Sequence, residues 1–144
     1  MTFCGVVHDV GKLVIPERML SKPGHLTDDE NYVVRMHAAL SADILSSVPN
    51  SSKLQEIVRH HHEWYDGTGY PDGLKGEEIP LGARILMVAD AYATMIRDLP
   101  YSPAKTMQEA AEELERGAGT QFDPNVVSVF LHSVRGETAR RASR

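Results

Sequence analysis

The sequence has a single cysteine, Cys4, so no disulfide can form within one chain. This cysteine usage is typical of a reducing compartment. No apolar run approaches the ~20 residues that a membrane-spanning helix needs, and no secretory signal precedes the domain. We therefore predict a cytoplasmic protein with no membrane partner. Basic residues are also too few for a broad nucleic-acid surface, since 15 lysines and arginines face 20 aspartates and glutamates.

Positive charge is concentrated at the end of the chain. Residues 135–144 contain four arginines and one glutamate, although the net charge of the whole chain is −5. We predict one domain over residues 1–134, followed by a solvated, frayed basic tail over residues 135–144. A contact with an acidic partner is the weaker alternative for the tail.

Apolar residues recur at helical spacing and no series of strands appears, so we predict an all-α fold. Two helix starts carry the spacing of a capping box, Thr27 with Glu30 and Thr106 with Glu109. The predicted helices cover residues 2–10, 27–47, 53–62, 81–97 and 106–117, with a final helix from residue 123. In the second helix the predicted core-facing stripe is Val33, Met36, Leu40, Ile44 and Val48, with His37 beside it.

Three consecutive histidines, His60 to His62, run into a loop rich in glycine, proline and aspartate. Adjacent side chains on a helix point about 100° apart. Two neighbouring histidines can therefore serve one site only if that site is wide, such as a pair of metal ions. The alternative is a histidine-rich surface helix end before an ordinary turn.

Potential metal ligands recur on the predicted helices, within or near apolar faces. They are His8, Asp9, His37, His61, His62 and Asp90. A buried carboxylate or histidine must be paired or bound, because leaving it unpaired is costly. The alternatives are a hydrogen-bonded pair at a helix end for His8 and Asp9, a satisfied core histidine for His37, and an ion pair with Arg84 or Lys12 for Asp90. Imidazoles mixed with carboxylates suit iron, manganese or zinc pairs.

The segment His8-Asp9-Val10-Gly11-Lys12 resembles the signature of the HD phosphohydrolase superfamily. Three further segments resemble the HD-GYP subfamily: residues 61–76, Ile79-Pro80 and residues 117–124. The resemblance extends from about Val6 to Phe130. It implies an HD-domain-like helical bundle with a GYP loop between helices, hydrolysing cyclic di-GMP to pGpG or GMP. Such domains hold two or three divalent ions, usually iron or manganese.

By that resemblance, the metal ligands are His8, Asp9, His37, His61, His62 and Asp90. Asp9 would bridge two ions and act in catalysis. Lys12 would contact the scissile phosphate, and Tyr70, with Gly69 and Pro71, would bind the nucleotide. His60 is predicted not to be a ligand. The resemblance also implies diguanylate cyclase domains, or an upstream receiver or sensor domain, as partners.

The chain departs from the family pattern in three places. The family carries a further histidine on an upstream helix, which we expect to be missing here. The apolar surface along the first helix is then expected to be open or to be covered by a neighbouring chain. Ala93 stands where the family usually has an aspartate, and Leu99 and Ser102 replace two basic residues that hold substrate phosphates. Charged hydrogen bonds are worth about 1.5–3 kcal/mol each. We therefore expect weakened substrate binding, which Leu99→Arg combined with Ser102→Lys should restore.

Two alternatives to an active cyclic di-GMP phosphodiesterase follow. One is a degenerate HD-GYP module that binds metal and acts in signalling or protein interaction. The other is a different nucleotide phosphohydrolase of the HD superfamily, which the GYP loop disfavours.

Overall fold

The computed structural model describes residues 2–98 and 103–142. Within these ranges the chain is helical and contains no strand, only an isolated bridge between Ala118 and Phe122. The helices are α1 (Thr2–Val7), α2 (Glu17–Leu20), α3 (Asp28–Arg35), α4 (His37–Leu45), α5 (Ser52–Arg59), α6 (Leu81–Met95), α7 (Met107–Arg116) and α8 (Pro124–Ala142). Two 3₁₀ segments cover Val10–Val14 and Gly76–Glu78. The predicted all-α fold is confirmed.

Helix starts follow the local sequence closely. The Thr27 hydroxyl accepts a hydrogen bond from the Glu30 amide, and the Glu30 carboxylate accepts one from the Thr27 amide. Thr106 and Glu109 repeat this reciprocal cap at the start of α7. Each cap satisfies backbone donors that a helix leaves unpaired at its N-terminus, so both predicted starts are confirmed.

The predicted helix over residues 27–47 is wrong as a single element. It divides at Met36 into α3 and α4, where the Met36 amide donates to the carbonyls of both Tyr32 and Val33. The break changes the buried face, and α4 buries His37, Ala38, Ser41, Ala42 and Leu45. Three members of the predicted stripe are exposed instead: Met36, Ile44 and Val48. The small residues of α4 permit close packing against the 3₁₀ segment Val10–Val14 and against α5.

The helix before His8 and the helix before the three histidines both end earlier than predicted. The first ends at Val7, so His8 and Asp9 lie in a turn, and α5 ends at Arg59, so the three histidines also follow the helix. The 100° argument for adjacent histidines therefore does not apply. At the other end of the chain, α8 continues to Ala142, beyond residue 134. The first part of the predicted frayed tail is thus helical, while the proposed boundary between domain and tail stays a prediction.

Half of the buried apolar residues form a cluster where α6, α7 and α8 meet. Its buried residues are Met87, Val88, Tyr92, Ala110, Ala111, Leu114, Phe122, Val127 and Leu131. The other half of the molecule, formed by α1, the first 3₁₀ segment, α4 and α5, carries most of the histidines. In the described ranges, no helix combines the length and the apolar character that crossing a membrane would require.

Candidate metal centre

Asp9 lies at the middle of a cluster of polar side chains, in the turn between α1 and the first 3₁₀ segment. Its Oδ1 is 3.3 Å from His37 Nε2 and 4.0 Å from His61 Nε2. Its Oδ2 is 3.5 Å from His8 Nε2 and 2.6 Å from Lys12 Nζ. The two oxygens of one carboxylate therefore face two different groups of nitrogen atoms, as a bridging ligand requires.

The remaining two predicted ligands complete the cluster. Asp90 Oδ1, from α6, is 3.5 Å from His8 Nε2, and His62 Nε2 is 3.1 Å from His37 Nε2. One potential ligand atom from each of Asp9, His37, His61 and His62 lies within 4.8 Å of the others. The structure thus brings all six predicted residues together from separate parts of the chain.

Three of the histidine rings are fixed by the backbone. Each has its Nδ1 within hydrogen-bond distance of a main-chain carbonyl, which leaves Nε2 directed into the cluster. The pairs are His8 with Gly5 at 3.0 Å, His37 with Val34 at 2.7 Å and His61 with Val58 at 2.6 Å. A histidine that binds a metal commonly donates its other ring N–H in this way, which fixes both the tautomer and the ring orientation.

The surroundings favour the neutral form of His61 and His62 and the ionised form of Asp9 and Asp90. Burial lowers the pKa of His61 to about 4 and that of His62 to about 2. Burial opposes ionisation of Asp9, but the nearby His37 ring and the hydrogen-bonded Lys12 ammonium outweigh it and hold the pKa of Asp9 well below the usual range. The close approach of His8 and Asp90 lowers the pKa of Asp90 and raises that of His8. Neutral histidines and ionised aspartates are the forms that bind metal.

Unpaired atoms at the centre provide the test of whether a metal fits. His8 Nε2, Asp9 Oδ1 and His61 Nε2 are buried, and none of them has a hydrogen-bond partner. Each such atom costs about 1–3 kcal/mol if it stays unpaired. Three such atoms in one cluster fit divalent cations, because a carboxylate oxygen and the unprotonated nitrogens of neutral imidazoles donate electron pairs. The mixture of imidazole and carboxylate suits iron, manganese or zinc.

His60 belongs to the same run of histidines but to a different cluster. Its Nδ1 lies 2.8 Å from the Glu56 carbonyl and its Nε2 lies 2.9 Å from Asp72 Oδ2. Asp72 also accepts two hydrogen bonds from Arg59, at 2.7 and 2.8 Å. Both ring nitrogens of His60 are therefore occupied away from Asp9, which supports the prediction that His60 is not a ligand.

We expect His60→Ala to leave metal content unchanged and His62→Ala to reduce it sharply. The reason is that His62 directs Nε2 at the centre, whereas His60 holds the following loop. Metal bound per chain, measured by elemental analysis after dialysis, checks this. Equal losses in the two variants would show that the ligand pair has been assigned wrongly.

The loop after the histidines is held by a buried carboxylate. Glu63 is only 2% exposed, and its Oε1 accepts hydrogen bonds from the amides of Asp72 at 2.6 Å and Gly73 at 3.0 Å. Gly69 approaches the backbone so closely that a Cβ there would lie 2.1 Å from the Trp64 nitrogen. The loop is thereby folded back onto the histidines, with Pro71 following Tyr70 through a cis peptide bond.

This folding places Tyr70 against the centre. Its ring stacks on His62 with centroids 5.0 Å apart, and burial raises the pKa of its hydroxyl to about 12. The guanidinium carbon of Arg35, at the end of α3, lies 5.1 Å from the centroid of the Tyr70 ring. In the described part of the chain, Arg35 makes no ion pair.

Sequence reasoning missed both Arg35 and Glu63. Glu63 stood next to the histidines, but only its contacts nine and ten residues along the chain reveal its role. Arg35 precedes His37 by two positions. This spacing does not predict that Arg35 lies near the centre unless the break between α3 and α4 is known. Of the departures from the family pattern, Ala93 is exposed on α6, while Leu99 and Ser102 lie outside the described residues.

Apolar side chains are exposed at the end of the first helix and in the segment that follows it. Val6 in α1 is 78% exposed, and Leu13 and Val14 in the adjoining 3₁₀ segment are 84% and 60% exposed. These side chains are next to the turn that carries His8 and Asp9.

A family model described as HD domain matches residues 1–126. A cyclic di-GMP phosphodiesterase of Thermotoga maritima is 43% identical over 132 residues, covering 90% of this chain and 36% of the relative. The cyclic di-GMP phosphodiesterase response regulator RpfG of Xanthomonas campestris is 44% identical over 128 residues, covering 87% of this chain and 34% of the relative. The chain thus spans about a third of the length of these curated relatives.

Two further similarities concern a related substrate. A 3'3'-cGAMP-specific phosphodiesterase of Vibrio cholerae is 39% identical over 130 residues, covering 90% of this chain and 30% of the relative. The crystal structure of a cyclic GMP-AMP-specific phosphodiesterase from Vibrio cholerae superimposes with a TM-score of 0.66, over 92% of this chain and 37% of that one. At 21% identity this second similarity concerns the fold alone.

Proposed function

Because the chain belongs to the HD domain family, we propose that it is a metal-dependent phosphodiesterase that hydrolyses cyclic di-GMP to pGpG or GMP. The observation that carries the proposal is the cluster around Asp9, with its three buried, unpaired donor atoms. The names of the curated relatives support the substrate, since several are cyclic di-GMP phosphodiesterases. A receiver or sensor domain and diguanylate cyclases as partners stay predictions.

The metal-binding residues in this proposal are His8, Asp9, His37, His61, His62 and Asp90. Asp9 connects the two parts of the centre because its two oxygens face different histidines. Two ions fit this division, and iron or manganese suits the ligands. When bound, divalent ions supply a nucleophile by lowering the pKa of water and withdraw charge from the phosphodiester oxygens.

Lys12 contributes a positive charge beside the reacting group. Its ammonium is held 2.6 Å from Asp9 Oδ2, and its side chain is 39% exposed. It is therefore fixed at the centre while still accessible to a substrate phosphate. A positioned ammonium there stabilises the negative charge that develops on the phosphorus-bound oxygens in the transition state.

Tyr70 and the adjacent Gly69 and Pro71 form a wall of the substrate site in this proposal. The Tyr70 ring covers one face of His62, so it excludes water from that side of the centre. Arg35 extends the wall with a second cation, since its charge is not neutralised by an ion pair within the described ranges and its guanidinium packs over Tyr70.

We expect Arg35→Ala to raise KM for cyclic di-GMP by about tenfold with little change in kcat, because a charged hydrogen bond to substrate is worth roughly 1.5–3 kcal/mol. Arg35→Lys should recover part of the loss. Steady-state kinetics at fixed metal loading measure both variants. Arg18→Ala, another exposed arginine at a helix end, is the control. A fall in kcat at unchanged KM would contradict a role in binding.

The proposed function is tested by incubating the chain, loaded anaerobically with Fe²⁺ or with Mn²⁺, with cyclic di-GMP and separating the products by chromatography. We expect pGpG or GMP to form and chelation to stop the reaction. Metal binding without any turnover, even in the Leu99→Arg, Ser102→Lys variant, would instead favour the non-catalytic signalling module.

A further inference from the structure

A cavity of about 280 Å³ adjoins the metal centre. It lies between α6, α7 and the loop that joins α7 to α8, and His62 and Asp90 form part of its wall. Because these two residues also belong to the Asp9 cluster, a substrate held at the centre has direct access to the cavity. The other residues that line the cavity have no role in the proposed reaction.

The size and floor of the cavity suit a flat aromatic group. Whole-ligand pockets usually measure about 300–1,000 Å³, so this one suits one part of a dinucleotide. Met87 and Phe122, which are 7% and 3% exposed, form an apolar floor. Sulfur and aromatic faces of this kind pack well against a planar ring.

Glu113 and Gln121, two polar residues with long side chains, also line the cavity. Oε2 of Glu113 accepts hydrogen bonds from Lys105 at 2.9 Å and Arg116 at 2.7 Å, which hold the carboxylate in place. Neither bond uses Oε1. The backbone of Gln121 is fixed too, since its amide donates to the Gly117 carbonyl and its carbonyl accepts from Tyr65.

We infer that this cavity is a guanine-specific base subsite, with Glu113 and Gln121 as the residues that select the base. Guanine presents N1–H and N2–H donors, which the free carboxylate oxygen of Glu113 can accept, and an O6 acceptor for the Gln121 amide. Adenine presents an unprotonated N1 at the same place, which would face the carboxylate without a hydrogen. The inference deepens the proposed function, on which it rests for the identity of the substrate.

The decisive variant is Glu113→Gln, which is nearly isosteric but replaces an acceptor by a donor and an acceptor. Hydrolysis of cyclic di-GMP and of cyclic di-AMP, which contains no guanine, is compared in the metal-loaded chain, and binding of GMP and of AMP is measured by NMR titration in the metal-free chain. We expect the preference for guanine over adenine to fall by about tenfold or more in both assays, because charged hydrogen bonds are the strong ones. Gln121→Ala should weaken GMP binding in the same direction.

Glu115→Gln is the matched control. Glu115 is an exposed glutamate on the same helix, it is paired with Arg135 at 2.9 Å, and it does not line the cavity. It therefore loses a surface ion pair without changing the subsite, and its base preference should equal that of the parent chain.

The possible results distinguish failure of the proposed base subsite from failure of the proposed phosphodiesterase activity. If the parent chain cleaves cyclic di-GMP but Glu113→Gln keeps the full preference for guanine, the subsite is overturned and the phosphodiesterase stands. If no dinucleotide is cleaved but GMP binds, shifts the amide resonances of Gln121 and Phe122, and loses its preference in Glu113→Gln, the activity fails and the subsite stands. Equal binding of GMP and AMP by the parent chain would also overturn the subsite.

Discussion

Asp9→Asn should reduce both metal affinity and cyclic di-GMP hydrolysis by about 100-fold or more. Loss of an outer partner of a metal ligand already costs roughly 10–100-fold, and Asp9 faces both parts of the centre directly. Asparagine keeps the shape but replaces one oxygen by an NH₂ group. Oδ1 lies 3.3 Å from His37 and Oδ2 lies 3.5 Å from His8. In either orientation of the amide, the NH₂ group therefore replaces a ligand oxygen in one part of the centre.

Metal affinity is measured by competition with a chelating dye, and turnover by product formation at saturating metal. The control is Asp43→Asn, an exposed aspartate on α4, the helix that also carries His37. It should leave both quantities unchanged. An Asp9→Asn variant that binds two ions with the affinity of the parent chain would remove Asp9 from the ligand set.

The sequence predicted the residues of the centre better than the helices that hold them. His8, Asp9 and the histidine pair were recognisable from their neighbours in the chain, and the HD resemblance on which they rest is confirmed by the family match. His37 and Asp90 were recovered through their separation from these motifs, and both lie at the centre. Their role as ligands stays a proposal.

The break at Met36 was not predictable from apolar periodicity. Residues 27–47 contain no proline or glycine, so nothing in the local sequence stops a helix there. The buried face of α4 is set by its close packing on the first 3₁₀ segment, a contact between distant parts of the chain, and the small residues Ala38, Ser41 and Ala42 occupy it. Periodicity that counts large apolar residues finds Ile44 and Val48 instead, both of which are exposed.

The residues of the proposed base subsite could not be predicted from the sequence. Glu113 appears in a helix with several other glutamates, and only its place on the cavity wall separates it from Glu112 and Glu115. Arg35 is similar, because its position over Tyr70 depends on the end of α3 meeting the loop that carries Tyr70. A polar residue that belongs to no sequence motif can be assigned to a site only from its contacts in the folded structure.

Gly11→Ala should destabilise the fold by about 3 kcal/mol or more and weaken metal binding at the same time. The Gly11 amide donates a 2.7 Å hydrogen bond to Ser41 Oγ, which joins the first 3₁₀ segment to α4. A Cβ at Gly11 would lie 2.3 Å from the His37 carbonyl oxygen and 2.7 Å from the Ser41 amide nitrogen. Both are backbone atoms of a packed helix, so relief requires α4 to move away, at the upper end of the usual 1–3 kcal/mol for overpacking.

That movement also separates the two sides of the metal centre, because Asp9 precedes Gly11 and His37 begins α4. Chemical denaturation of the metal-free chain gives the loss of stability, and chelator competition gives the loss of metal affinity. Gly5→Ala is the matched control: Gly5 lies in α1 with no atom within 4 Å of the added Cβ. Alanine there should stabilise the helix by about 0.5–1 kcal/mol. If Gly11→Ala behaved like Gly5→Ala in both measurements, the close contact between the 3₁₀ segment and α4 could not be what holds Asp9 against His37.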